Sequence, residues 1–117
     1  MNIPQLITSF IECRECLQLR HWNTTSFAEH KAVGKFYDTL SDLLDSFVET
    51  YSGKYGRPLV GGMINIIDRD ANTICNAVYE YAEQIENQLD ESDTDLLNIC
   101  ADVKTAANHT KYLLTLK

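Results

Sequence analysis

The sequence predicts an all-α protein, a bundle of four helices with one long connection between the second and the third. Three observations lead there. Four segments carry apolar residues at helical spacing, and none alternates with the period of a strand. Only two prolines and five glycines occur in 117 residues, and four of those glycines fall between positions 53 and 62. Elsewhere helices can therefore run without interruption. A chain of this length forms one domain, residues 1–117, large enough to bury a core without disulfides or structural metals.

The first helix is expected over about residues 4–21. Ile3, Leu6, Ile7, Phe10, Cys13 and Leu17 recur on one stripe, and Pro4 suits a first helical turn. His21 stands four residues after Leu17 and extends that stripe. The turn "NTTS" (23–26) is rich in capping residues, and Ser26 with Glu29 reads as a capping box. The second helix follows over about 27–51. Its stripe of Val33, Phe36, Tyr37, Leu40, Leu43, Leu44, Phe47, Val48 and Tyr51 is the strongest periodic signal in the chain.

Residues 52–66 are irregular. About fourteen residues reach roughly 45 Å when extended, whereas the second helix is about 38 Å long. The connection can thus carry the chain back along the whole bundle, so that the second and third helices run parallel. The third helix is expected over about 68–89, capped by Asp68, with Ile67, Ala71, Ile74, Val78, Tyr81, Ala82, Ile85 and Leu89 inward. "DESDTD" (90–95) is a turn. The fourth helix is expected over about 94–116, capped by Ser92 or Asp93, with Leu96, Leu97, Cys100, Val103, Ala107, Thr110 and Leu114 inward.

Composition excludes several functions. The net charge is −7, and Lys31, Lys35, Lys54, Lys104, Lys111 and Lys117 are scattered, so no nucleic-acid partner is expected. No run of about 18 apolar residues exists to span a membrane. The start "MNIPQLITSFIECRECLQLRHW" lacks the cationic start of a signal peptide, and Glu12 and Arg14 break its apolar run. A cytoplasmic location is expected, with four reduced cysteines. Cys13-x-x-Cys16 followed by His21 superficially suggests zinc, but the segment is a helix interior and no second pair follows. Cys13, Cys75 and Cys100 read as small core residues. "GKYGRPLVGG" lacks the order of a phosphate loop, and His109 lies opposite the apolar stripe of its helix. No nucleophile–His arrangement of a hydrolase is present.

A second seam runs beside the core stripe of the second helix. With His30 set to zero, Ser41, Gly34, Asp45 and Glu49 fall at about 20°, 40°, 60° and 100° around the helix. Small residues there let another helix approach closely, and the ionisable ones call for a partner or a metal. Within one chain His30 cannot meet Asp45 or Glu49, which lie about 22 and 28 Å further along the axis. An antiparallel copy of the same helix, related by a two-fold axis, removes that distance. His30 of one chain would then face Asp45 and Glu49 of the other, and His21 would add a second imidazole. Such a donor set suits Fe(II), and also Zn(II) or Mn(II).

"HWN" at 21–23, then His30, Asp45 and Glu49, resembles the pattern of the mini-ferritin (Dps-like) family of the ferritin-like superfamily. "FYDTLSDLLDSFVE" (36–49) is similar to that family's second helix. "YSGKYG" and "YLLTL" resemble segments of short Dps-like proteins of tailed bacteriophages. The resemblance implies a ferritin-like four-helix bundle with His21 and His30 from one subunit binding iron together with Asp45 and Glu49 from its neighbour. It implies Fe(II) oxidation with peroxide or oxygen, and a homodimer or larger homo-oligomer through the second helix. The sequence departs from the family at Gly34, where the family carries an Asp, and in lacking the basic tail that binds DNA.

Each residue also has a plainer reading. His21 and Trp22 would plug the end of the core, His30 would be a surface histidine, and Asp45 with Glu49 a solvated acidic face. The corresponding alternative function is a non-enzymatic, phage-encoded interaction protein, either a virion component or an inhibitor of a host defence. Its partner would be a host or virion protein, and its location the host cytoplasm.

Overall fold

The computed structural model describes residues 1–117. It contains four helices and no strand: α1 (Ile3–Asn23), α2 (Phe27–Tyr55), α3 (Ala71–Glu86) and α4 (Thr94–Leu113). The helix count and order agree with the sequence pattern, and the ends differ in ways that tertiary contacts explain. α1 starts at a reciprocal cap, in which Gln5 N donates to Asn2 Oδ1 at 2.9 Å and Asn2 N donates to Gln5 Oε1 at 2.8 Å. Only half of the box expected at α2 forms. Glu29 N donates to Ser26 Oγ at 3.2 Å, but the Glu29 carboxylate turns instead to Arg20, 3.3 Å away at the end of α1. A cation outcompetes the amide for it.

α2 runs four residues beyond the expected end and stops at Gly56, whose φ of +92° suits glycine. The last turn is held by α4. Asp93 is buried, 1% exposed, and its carboxylate accepts from Tyr55 Oη at 2.6 Å and from the Asp90 amide at 3.0 Å, with the Lys54 ammonium beside it. Asp93 occupies the cap position of α4 without capping it, because its oxygens are already engaged by α2. α3 is capped by Asp70 rather than Asp68, with Thr73 N donating to Asp70 Oδ2 at 3.1 Å. Asp68 is drawn to Arg20, 3.4 Å away. Ile67, expected inward, sits before α3 and is 47% exposed.

α1 packs on α2 and α3, and α4 packs on α2 and α3, which leaves α2 diagonal to α3. Each adjacent pair is antiparallel. The Gln88 amide reaches Met1 O at 2.7 Å, Tyr55 meets Asp93, and Lys111 reaches Asn76 at 2.9 Å. α2 and α3 therefore run in the same direction, and residues 56–70 cross back along α1. Thr8 Oγ1 donates to Gly61 O at 3.1 Å, Asn65 N donates to Glu12 Oε1 at 2.6 Å, and Asp68 meets Arg20. This is a four-helix bundle with one long crossover connection.

Apart from the buried Asp93 and Thr110, the interior is hydrocarbon and thiol. Phe10, Leu40, Leu44, Phe47, Ile85 and Val103 meet at its centre, and no carboxylate enters there. All four cysteines are free and buried. Burial pushes the thiols of Cys13 and Cys100 up to about 12 and that of Cys75 to about 11. They stay un-ionised at neutral pH and are not ready nucleophiles.

The Asp93 clamp predicts a pH signature. Bonds from Lys54 and then Tyr55 hold the Asp93 carboxyl below its ordinary 3.8. Its contribution is present above that value and fades as pH falls through the lower folded value. Bonding to Asp93 raises Tyr55 above 10.0 and Lys54 above 10.5. Their contribution is whole below those values and fades as pH rises through the folded ones. Thermal unfolding of wild type and Asp93→Asn is expected to differ by at least about 5 °C at neutral pH. The gap should narrow at both extremes, and a constant gap would contradict the clamp.

Candidate metal centre

The last turn of α1 and the first turn of α2 bring His21 and His30 together, as the turn between them requires. Their rings stack with centroids 3.8 Å apart and planes 16° from parallel. The contact is reciprocal. His21 Nδ1 lies 2.7 Å from His30 O, and His30 Nδ1 lies 2.8 Å from His21 O. A carbonyl only accepts, so each Nδ1 carries the proton. In the neutral imidazole the lone pair is then on Nε2. Nε2 has no partner within the chain on either ring. A backbone carbonyl fixing the Nδ1–H tautomer is the arrangement that prepares a histidine to ligate through Nε2.

Both rings are half-buried and line an open cleft with Gln18, Lys31, Gly34, Asp38 and Asp42. Near-parallel rings do not point their in-plane lone pairs at one common ion. A shared ion needs one ring to leave the stack, whereas one ion on each imidazole does not. Sequence reasoning did not single out Asp38 and Asp42. The signal was present, since both fall within about 120° of His30 on the same helical wheel.

Gly34 has a role different from the one its small size suggests. A Cβ built there would lie 2.7 Å from His21 Cε1 and 2.8 Å from Nδ1. Gly34 thus makes room for the chain's own His21 rather than for a second helix. An Asp at this position, the residue of the resembled family, is incompatible with His21 in this place. The departure at 34 and the stacked pair are one feature.

Trp22 does not plug the core. It is 65% exposed, and Phe27 is 74% exposed. Phe27 stacks against His30 at 6.4 Å, and the Lys31 ammonium lies 5.8 Å from its ring centre. Two aromatics therefore stand in solvent beside the imidazoles. His109 is exposed, as expected. Cys13, Cys16 and His21 form no ligand cluster, and no three donors of metal-binding type converge within one chain. Asp45 and Glu49 are exposed and have no ion partner. Their distance from His30 along α2 is the one the sequence spacing requires.

Residues 21–114 match the model of a family of unknown function, DUF5856. The chain belongs to this family. The matched region begins at His21 and contains every residue of the candidate centre. The chain is also 28% identical over 97 residues to an uncharacterized 14.6 kDa protein in the mobD-ri intergenic region of Enterobacteria phage T4. That alignment covers 83% of this chain and 75% of the phage protein. No solved structure matches.

The dependence of the histidine pair on Gly34 is testable. Gly34→Ala gains helix propensity of about 1 kcal/mol and forces the His21 ring away. Global stability is expected to change by no more than about 1 kcal/mol, while long-range nitrogen–proton NMR correlations show His21 losing its fixed Nδ1–H tautomer. An unchanged imidazole spectrum would contradict the close approach.

Proposed function

We propose that this protein binds Fe(II) at sites shared between two copies and promotes its oxidation by peroxide or oxygen, as a relative of the mini-ferritins. The observation that carries this reading is the reciprocal bond between His21 and His30, which leaves two ligating nitrogens at one open cleft. Asp45 and Glu49, unpaired and exposed, supply the carboxylates once a second α2 lies antiparallel. Imidazole with carboxylate suits Fe(II), with Zn(II) or Mn(II) as competitors.

Here Fe(II) is the substrate. Each peroxide accepts two electrons, so two Fe(II) ions are consumed per molecule and no hydroxyl radical need be released. His21 and His30 would each hold an ion of their own through Nε2, and the backbone carbonyls would keep each ring oriented. Asp45 and Glu49 would offset the charge gained on oxidation.

A non-enzymatic interaction protein is the second reading. Exposed Trp22 and Phe27, together with the phage relative, favour it. In that reading the partner is a host or virion protein, and iron plays no part.

The deciding experiment adds Fe(II) and then peroxide to wild type, His30→Ala and Glu49→Ala, following ferric-oxo absorbance in the near ultraviolet. Glu49 is exposed and His30 half-buried at a helix end, so both variants are expected to fold, which circular dichroism checks. Each should oxidise iron at least about tenfold more slowly than wild type. Equal rates in all three proteins and in buffer would reject the iron reading.

A further inference from the structure

Between Arg57 and Asp68 the crossover carries only uncharged residues, "PLVGGMINII". Residues 56–70 form neither helix nor turn, and so long a connection without structure of its own is uncommon in a compact fold. Leu59 at φ +53° and Gly62 at φ +133° interrupt its upstream half, whereas no residue from Met63 to Ile67 has a positive φ. The contacts of Gly61 with Thr8 and of Asp68 with Arg20 stretch this half along α1. Twelve residues of α1 span about 18 Å, and seven crossover residues cover that length, so each advances well beyond a helical rise.

Of the five residues Met63–Ile67, Asn65 alone has its main chain engaged. Its N–H donates to Glu12 Oε1 at 2.6 Å, and its carbonyl accepts from Cys16 Sγ at 3.9 Å, both on α1. An extended chain presents the N–H and C=O of successive residues to opposite edges. Asn65 uses the edge on α1, so Ile64 and Ile66 present theirs to the edge turned away from it. No N–H or C=O of Ile64 or Ile66 is bonded within the chain. Met63 is 98% exposed, and Ile66 and Ile67 are exposed beside it. Isoleucine is a strand-forming residue, and no charge or proline blunts this edge as edge strands usually are blunted.

We infer that the free edge of Met63–Ile67 accepts an extended, uncharged segment of another protein as an added β-strand. Ile64 and Ile66 supply four main-chain bonds, and Met63 and Ile67 pack against apolar side chains of the incoming segment. A second copy of this chain is the poorer occupant. Two folded bodies need about 20–30 residues a side for a stable contact, and this edge offers five. A segment that is unfolded before it binds has no second body to hold. The inference uses neither iron nor the imidazoles, so it stands or falls separately from the iron reading.

A heptapeptide of alternating threonine and valine with a lysine at each end, acetylated and amidated, serves as the probe strand. Its control is the same peptide N-methylated at every valine and threonine, which removes the donors and keeps the side chains. Amide NMR shifts and hydrogen exchange are read in the intact protein. Without peptide, the Asn65 amide should exchange at least about tenfold more slowly than those of Ile64 and Ile66. Millimolar peptide should shift the Ile64 and Ile66 amides and slow their exchange at least about tenfold. The N-methylated peptide should bind at least about tenfold more weakly. Ile66→Pro removes one donor of the edge and should weaken the peptide to a similar degree, with helical circular dichroism unchanged. If that variant unfolds, the two peptides on wild type decide.

No shift at Ile64 and Ile66 with millimolar peptide overturns the inference. Equal binding of the two peptides does so as well, because it shows apolar adhesion rather than main-chain pairing. Ile64 and Ile66 amides already protected in a peptide-free dimer overturn it too, by giving the edge to a second copy.

Discussion

Two imidazoles hold each other in place across the turn between α1 and α2, and the chemistry of the site follows from that contact. Each ring donates from Nδ1 to the other residue's carbonyl, and the faces stack. This satisfies the His21 carbonyl in the last turn of α1, where the backbone lacks its usual partner. It also selects one tautomer for both rings and turns their remaining nitrogens away from the backbone. The contact exists because residue 34 has no side chain. One missing Cβ therefore connects helix geometry to ligand chemistry.

The bundle holds its charged groups away from its centre. Its centre is aromatic and aliphatic, with thiols that burial keeps protonated. The charged groups were moved to the ends and outer faces, where they take distinct tasks. At one end Asp93 ties α2 to α4. At the other, Arg20 gathers Glu29 from α2 and Asp68 from the crossover, binding three segments. The outer face of α2 retains charges without partners.

The candidate site was legible to different depths. His21 and His30 stand close on either side of a short turn, and a helix–turn–helix reading brings them together without further information. Their ring orientation was not legible, because it depends on carbonyl positions on two neighbouring helices. Asp45 and Glu49 could be placed on the correct face by counting residues, since a helix is a regular object. Whether they meet an imidazole depends on a second molecule, which no pattern within the chain encodes directly. The plainer alternative, in which Trp22 plugs the end of the core, fails because the indole is exposed. Hydrophobicity says that an indole gains from burial, not that the fold has room for it.

Periodicity by itself determined the four helices, their order, their buried stripes and the long crossover, because each follows from local spacing and chain length. Tertiary structure alone decided where the helices end and what their terminal residues do. α2 continues to Tyr55 because Asp93 holds its last turn, α3 waits until Asp70 because Arg20 takes Asp68, and Glu29 abandons its cap for the same guanidinium. In each case a residue had two acceptable partners, one near in sequence and one near in space. Only the folded chain sets the distance to the second, so only the folded chain could settle the competition.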